Sequence, residues 1–168
     1  MYNVIDVCGY IICYSNFKKY GVSNLKLQKL LYFVQVFFVA YTEEHTLCFD
    51  SKIEAWDFGP VVPKAYYQYS EFSSTDIPFC DTYLEHGYTL WDAHLCKYNI
   101  NNIQHKDKVL IRTVVDAFSD FSASELTKLI FNTPLWKNVY SPYMHREITP
   151  IIIQTFFPDA LENNLLLQ

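Results

Sequence analysis

Five histidines and five cysteines are the side chains in this 168-residue chain best suited to ligating a metal or attacking a substrate. The densest grouping is His94-x-Cys96, with Cys80 and His86 nearby. Structural zinc sites present closely spaced ligand pairs twice over. Here such a pair occurs once, inside an aromatic-rich, strand-like stretch, and a partly exposed histidine beside a buried thiol accounts for it. Nucleophilic catalysis has no local signature such as G-x-S-x-G. A triad drawn from distant positions would leave no trace in the sequence. Cys8, Cys13 and Cys48 lie in or beside apolar stretches, where burial raises a thiol's pKa and leaves it inert. The four glycines (Gly9, Gly21, Gly59, Gly87) cannot build a phosphate loop or a dinucleotide fingerprint. Glu43-Glu44 reads as solvated charge at a helix end. No catalytic constellation, cofactor site or metal site is read from these residues, and the expectation is a protein that binds and does not catalyse.

Composition narrows the class further. The chain is 51% hydrophobic and 18% aromatic with few glycines, which suits one packed domain over residues 1–168. A net charge of -5 and a pI near 5.4, with no basic stripe, argue against a nucleic-acid binder that works by phosphate neutralisation. An odd number of irregularly spaced cysteines fits free thiols in a reducing compartment, so a cytoplasmic location is expected. The N-terminus lacks the basic start of a signal peptide. The longest apolar run, Leu30–Tyr41, is broken by Gln35 and falls well short of the about twenty residues that cross a bilayer, so no membrane partner is expected.

The elements that must position any site are mostly helical. Val4, Ile5, Cys8, Ile11 and Ile12 recur at helical spacing, predicting a helix over 3–20 closed by Tyr20-Gly21. Ser23 or Asn24 caps a second helix from Leu25 to about Tyr41. That helix begins amphipathic, with Lys26 and Lys29 between leucines, and is apolar all round from Leu30, which predicts the centre of a bundle. A short strand is expected at Lys52–Trp56, followed by a turn at Gly59-Pro60-Val61-Val62 and a helix from Pro63 to about Ser70. Residues 71–100 read as an insertion with two short strands turning at His86-Gly87. Asp107–Phe118 predicts a helix packed through Val109, Leu110, Val114 and Ala117 or Phe118, and Ser122-x-x-Glu125 is a capping box opening a helix through about Phe131. Pro134 ends that helix, Trp136–Tyr140 reads as a short turn, and a last helix covers about Ile151–Phe157, stopped by Pro158. The predicted class is mainly α (α+β): a single-domain helical bundle around a central apolar helix, with a small antiparallel sheet or hairpin.

Three segments, in order, carry a family pattern. Leu25-Lys-Leu27-Gln28-Lys29-Leu30-Leu31-Tyr32-Phe33-Val34-Gln35 is the first. Glu54-Ala55-Trp56 through Gly59-Pro60-Val61 and on to Tyr66 is the second. Ser124-Glu125-Leu126 followed by Pro134-Leu135-Trp136-Lys137 is the third. Together they resemble the Panacea domain, also called SocA-like and often described as phage-associated. The resemblance implies an antitoxin that binds a cognate protein toxin encoded by the adjacent gene, with no established catalytic residues. One branch of the family delivers its toxin to the ClpXP protease, which makes a proteolytic adaptor the alternative, and a phage protein binding a host immune effector is a third reading. Where many members carry Thr-His ahead of the Pro-Trp segment, this chain has Ile130-Phe131, which favours packing there.

The motif residues Leu27, Gln28, Lys29, Leu30, Tyr32, Gln35, Glu54, Ala55, Trp56, Gly59, Pro60, Val61, Tyr66 and Trp136 are therefore expected to be structural or partner-binding. Trp56 reads first as a core residue at the strand-to-helix joint and second as a binding anchor. Tyrosines in excess of what one core needs supply candidate contacts: Tyr66, Tyr67, Tyr69, Tyr83, Tyr88 and Tyr98, with Trp91. The apolar end Leu165-Leu166-Leu167-Gln168 reads either as a tail folded on the globule or as a docking or degradation tag.

Overall fold

A computed structural model describes residues 1–42, 46–85 and 92–162. Helix α1 (Val4–Lys18) starts at Asn3, whose side chain accepts from the Ile5 N–H at 2.9 Å. It ends on Lys19 in the left-handed region, φ 62°, one residue pair before the Gly21 expected to close it. Its second turn packs against Tyr98, whose ring lies where a side chain at Gly9 would have to go.

Helix α2 (Asn24–Tyr41) is capped by Ser23, which accepts from the Lys26 N–H. It packs against α1, α3 (Pro63–Gln68), α4 (His105–Ala117), α5 (Ala123–Phe131) and α7 (Pro150–Glu162), so it is the spine of the bundle. The predicted amphipathic start is corrected. Lys26 and Lys29 are both buried, because helices and a strand enclose α2 from its first turn. Lys26 Nζ is satisfied by the Ser119 carbonyl at 2.6 Å.

The segment read as a turn is a hairpin. β1 (Glu54–Trp56) pairs antiparallel with β2 (Gly59–Val61) around Asp57-Phe58, in the register Glu54↔Val61, Ala55↔Pro60 and Trp56↔Gly59. Pro60 is tolerated because β2 is an edge strand, its missing N–H costing no ladder bond. A third strand, β5 (Arg146–Glu147), adds to the other side of β1, giving the order β2-β1-β5. Its pairing is extended by the Ile148 N–H to the Ile53 carbonyl at 2.8 Å. The residue 71–100 insertion carries an antiparallel ribbon, β3 (Thr82–Glu85) with β4 (His94–Lys97). The predicted His86-Gly87 turn, like Glu43-Glu44 and the Leu165–Gln168 end, lies outside the described residues.

Three further expectations change. Helix α4 packs through Ile111, Val114, Val115 and Phe118, with Val109 on its exposed side. The Trp136 segment is a helix, α6 (Pro134–Val139), because Thr133 caps it by accepting from the Trp136 N–H at 3.2 Å and Pro134 takes its first position. Helix α7 runs on through Pro158, and Thr149 caps its start by accepting from the Ile152 N–H at 3.3 Å. The Ser122/Glu125 capping box opens α5 with both reciprocal bonds made. Among the described residues no helix is long and apolar enough to cross a membrane.

Candidate functional site

The polar motif residues of α2 point inward. Gln28 is wholly buried and joins two elements: its Nε2 donates to Asn24 Oδ1 at 2.9 Å, and its Oε1 accepts from the Val62 N–H at 3.0 Å. Asn24 in turn donates to the Tyr66 carbonyl at 2.9 Å. Gln35 Oε1 accepts from the Cys48 N–H at 3.0 Å, tying down the chain that enters the hairpin. The Tyr32 hydroxyl meets the side chain of Thr133, and burial raises its pKa. Leu27 and Leu30 are core residues. Each polar group thus satisfies a buried partner, mostly backbone, that would otherwise be costly to desolvate.

Lys29 is the exception in kind. Its side chain is fully buried and its Nζ donates to the Pro60 carbonyl at 3.1 Å. No carboxylate among the described residues forms an ion pair with it. Burial pushes the amine down to about 7. Gly59 makes this fit possible: it holds φ 100° with Lys29 Nζ packed where a Cβ would stand.

The outer side of the same hairpin is aromatic. Val61 and Ala55 face the core, whereas Trp56 is half-buried and its Nε1 donates to Glu54 Oε2 at 2.8 Å. His145 stacks on Trp56 with centroids 4.9 Å apart and planes 17° from parallel. Tyr66 meets Trp56 edge-on at 5.2 Å and Tyr67 at 6.3 Å. Tyr67 and Phe58 are 63% and 60% exposed, and Tyr143 and Met144 are 85% and 62% exposed. Asp57 fastens the Tyr143 loop to the hairpin, accepting from the Tyr140 hydroxyl at 3.0 Å and the Tyr143 N–H at 3.4 Å. Tyr143 and His145 both adopt positive φ, 61° and 46°, an uncommon backbone for bulky residues that concentrates at functional segments. Trp56 is therefore both things at once, a joint residue and part of a surface.

The Pro-Trp segment supports this surface from below. Trp136 is buried and stacks on Phe131 at 5.0 Å and on Tyr140 at 5.2 Å. Phe131 fills part of the aromatic pile and Ile130 the core, so the Ile130-Phe131 pair packs.

The other predicted tyrosines differ. Tyr69 is buried, and its hydroxyl lies 3.0 Å from that of Tyr98. Tyr83 is half-buried against Tyr98 at 4.9 Å, and burial pushes its hydroxyl up to about 12. These three line the seam between the ribbon and α1, so Tyr69 is unavailable as a surface contact. Tyr88 and Trp91 lie outside the described residues. Sequence reasoning missed Phe58, at the tip of the hairpin, and Tyr143, Met144 and His145, which reach the surface through a loop ahead of a two-residue strand that leaves no periodic signal.

Cys8 and Cys48 are buried, and desolvation raises both thiols, as it does Cys13. His94 is exposed and Cys96 half-buried, its Sγ near Glu85 Oε2 at 3.5 Å. Among the described residues no group of three or more His, Cys, Asp or Glu is arranged to hold a metal ion.

No curated protein and no solved structure matches the chain. A family model does: that of the antitoxin SocA-like, Panacea domain, over residues 27–137. The matched stretch opens at Leu27, takes in the inward-facing α2 motif and the β1–β2 hairpin, and reaches past Trp136. With its pattern spread across most of the fold and its polar residues built into the core, the chain belongs to the SocA-like antitoxin family of Panacea-domain proteins.

Proposed function

We propose that this protein is an antitoxin that neutralises a cognate protein toxin, encoded by the adjacent gene, by binding it directly and without catalysis of its own. The reading is supported by the family and by one contrast within the motif. Its polar side chains are spent on internal bonds, while the hairpin they hold presents Trp56 and Phe58 outward, beside Tyr67 and Tyr66 of α3. Aromatic residues on a rigid scaffold are the usual anchors of protein interfaces, since they bury much area for little lost side-chain entropy. The cytoplasm is the compartment in which its five free thiols would persist.

The test is coexpression of the tagged protein with the untagged product of the neighbouring open reading frame. The reading expects a stoichiometric complex and relief of a growth defect caused by the neighbour alone. A harmless neighbour that does not copurify overturns it. Loss of the partner from cells, in place of a stable complex, would instead favour delivery to a protease such as ClpXP.

A further inference from the structure

Lys29 is a buried amine with one carbonyl for company, beneath a strand three residues long. The charged groups on the elements around it are bonded elsewhere or turned to solvent. On α2, Lys26 is bonded to Ser119. On the hairpin, Glu54 accepts from the Trp56 indole, and Asp57 from Tyr140 and Tyr143. On α5, Glu125 belongs to the capping box and Lys128 is exposed. On α3, Lys64 is exposed. None of them forms an ion pair with Lys29 that could offset a buried charge.

The neutral amine satisfies the Pro60 carbonyl with one N–H and suits its dry surroundings. The ammonium form would carry three donors with one protein acceptor and a full charge in an apolar setting, which is costly unless water reaches it. The packed helices block water from the core side. The edge strand β2 is the thinner cover: β1 is also held by β5 and Asp57 by Tyr140 and Tyr143, whereas the β2 side is fastened, besides its pairing to β1, by Gln28 to the Val62 N–H, by Lys29 to Pro60, and at the turn by Thr127 Oγ1 to the Phe58 carbonyl at 3.4 Å. Lifting Gly59-Pro60 exposes Nζ directly, because Gly59 places no side chain between it and the solvent-facing turn.

We propose that Lys29 and Gly59-Pro60 form a proton-sensitive latch: the β1–β2 hairpin is fastened to α2 while the Lys29 amine is neutral, and opening of the hairpin takes up one proton. The inference goes beyond the antitoxin reading and holds whatever the partner is. It has a consequence for any ligand seated on the closed hairpin, whose affinity rises with pH across the range in which closure and protonation compete.

The sign follows from linkage. Closed, the amine titrates near 7; open to water, near its ordinary 10.5. Between those values the open form binds one proton more, so the opening constant falls roughly tenfold per pH unit as pH rises, and below 7 it levels off. The test is amide hydrogen exchange, corrected for intrinsic rates, at Val62, the residue that joins β2 to α3 and bonds Gln28, and at Leu31 and Phe33 in α2 as reporters of global unfolding. Between pH 7 and pH 9 the Val62 opening constant is expected to fall about 50-fold in the wild-type protein, at a faster opening than the α2 amides show, and to stay within about threefold in Lys29→Met. A wild-type Val62 constant that does not change, one that changes equally in Lys29→Met, or one identical to the α2 amides at every pH overturns the proposal. Should Lys29→Met not fold, the Lys29 13Cε shift in the wild type decides: a midpoint near neutrality shared by the hairpin amides supports the latch, and a midpoint above 10 overturns it.

Discussion

The backbone of Gly59 and the amine of Lys29 occupy adjoining space: a Cβ on residue 59 would stand 3.0 Å from Lys29 Nζ and 3.2 Å from its Cε. Two residues thirty positions apart in the family pattern are thus one structural unit. Gly59 also holds φ 100°, which other residues adopt only with strain. Gly59→Ala is expected to destabilise the protein by about 2–3 kcal/mol through strain and lost packing together. The urea unfolding midpoint checks this, and a midpoint unchanged from wild type would refute the unit.

Gln28 carries a different kind of cost. Gln28→Leu preserves bulk but strips the Val62 N–H of its acceptor in a buried setting. A loss of about 1–3 kcal/mol is expected, measured by the same unfolding curves. Asn24→Ala, one step further along the chain of bonds, is expected to cost less than Gln28→Leu and to add sub-additively with it, since both belong to one network.

Stability depends on pH through groups moved in opposite directions. Lys29 is lowered, so the unfolded chain binds a proton that the folded chain lacks above about 7, and stability rises with pH there. Cys8 and Cys48 are raised from an ordinary value of 9.0, so above that pH the unfolded thiols shed protons that the folded ones keep, and stability falls. The expected maximum is near pH 9, with a gain of about 2 kcal/mol from pH 7 to 8.5 that Lys29→Met abolishes. Urea midpoints at pH 6.5, 8.5 and 10 measure it; a monotonic decline across that range would contradict the assignment.

Binding and folding separate at the tyrosines. Tyr67→Ala removes an exposed ring and is expected to shift stability by no more than about 0.5 kcal/mol, yet to weaken the toxin complex at least about tenfold. Tyr69→Phe removes a hydroxyl paired with Tyr98 in the interior and is expected to cost about 1 kcal/mol of stability while leaving the complex intact. Calorimetric titration of the purified pair distinguishes them, and the opposite pattern would move the interface to the ribbon.

Trp136 links the aromatic pile under the surface. Trp136→Ala is expected to cost about 3–5 kcal/mol, because it empties a buried site between Phe131 and Tyr140. Thermal unfolding checks the magnitude. Trp136→Phe, which keeps a ring in the pile, is expected to recover about half of it.

By itself the sequence determined the elements whose causes are local. Asn3 to Lys18, Ser23 to Tyr41, the Ser122/Glu125 box and Pro63 at a helix start follow from caps, steric limits and periodicity within a few residues, and these were legible. The family pattern was legible too, because its residues stand at fixed spacing along the chain. Tertiary structure alone decided what depends on distant neighbours. Gly59–Val61 is a strand because Glu54–Trp56 lies beside it, and Arg146–Glu147 is one only because it pairs with that same strand. Pro158 continues α7 although proline usually marks an end, and Lys19 closes α1 where Gly21 was the local favourite. Lys29 resembles any lysine on a polar helix face until five helices and a strand surround α2 and leave its amine no water. Periodicity records how a segment faces its surroundings on average; which side chain is buried, and against what, is settled only when non-local surfaces meet and exclude solvent.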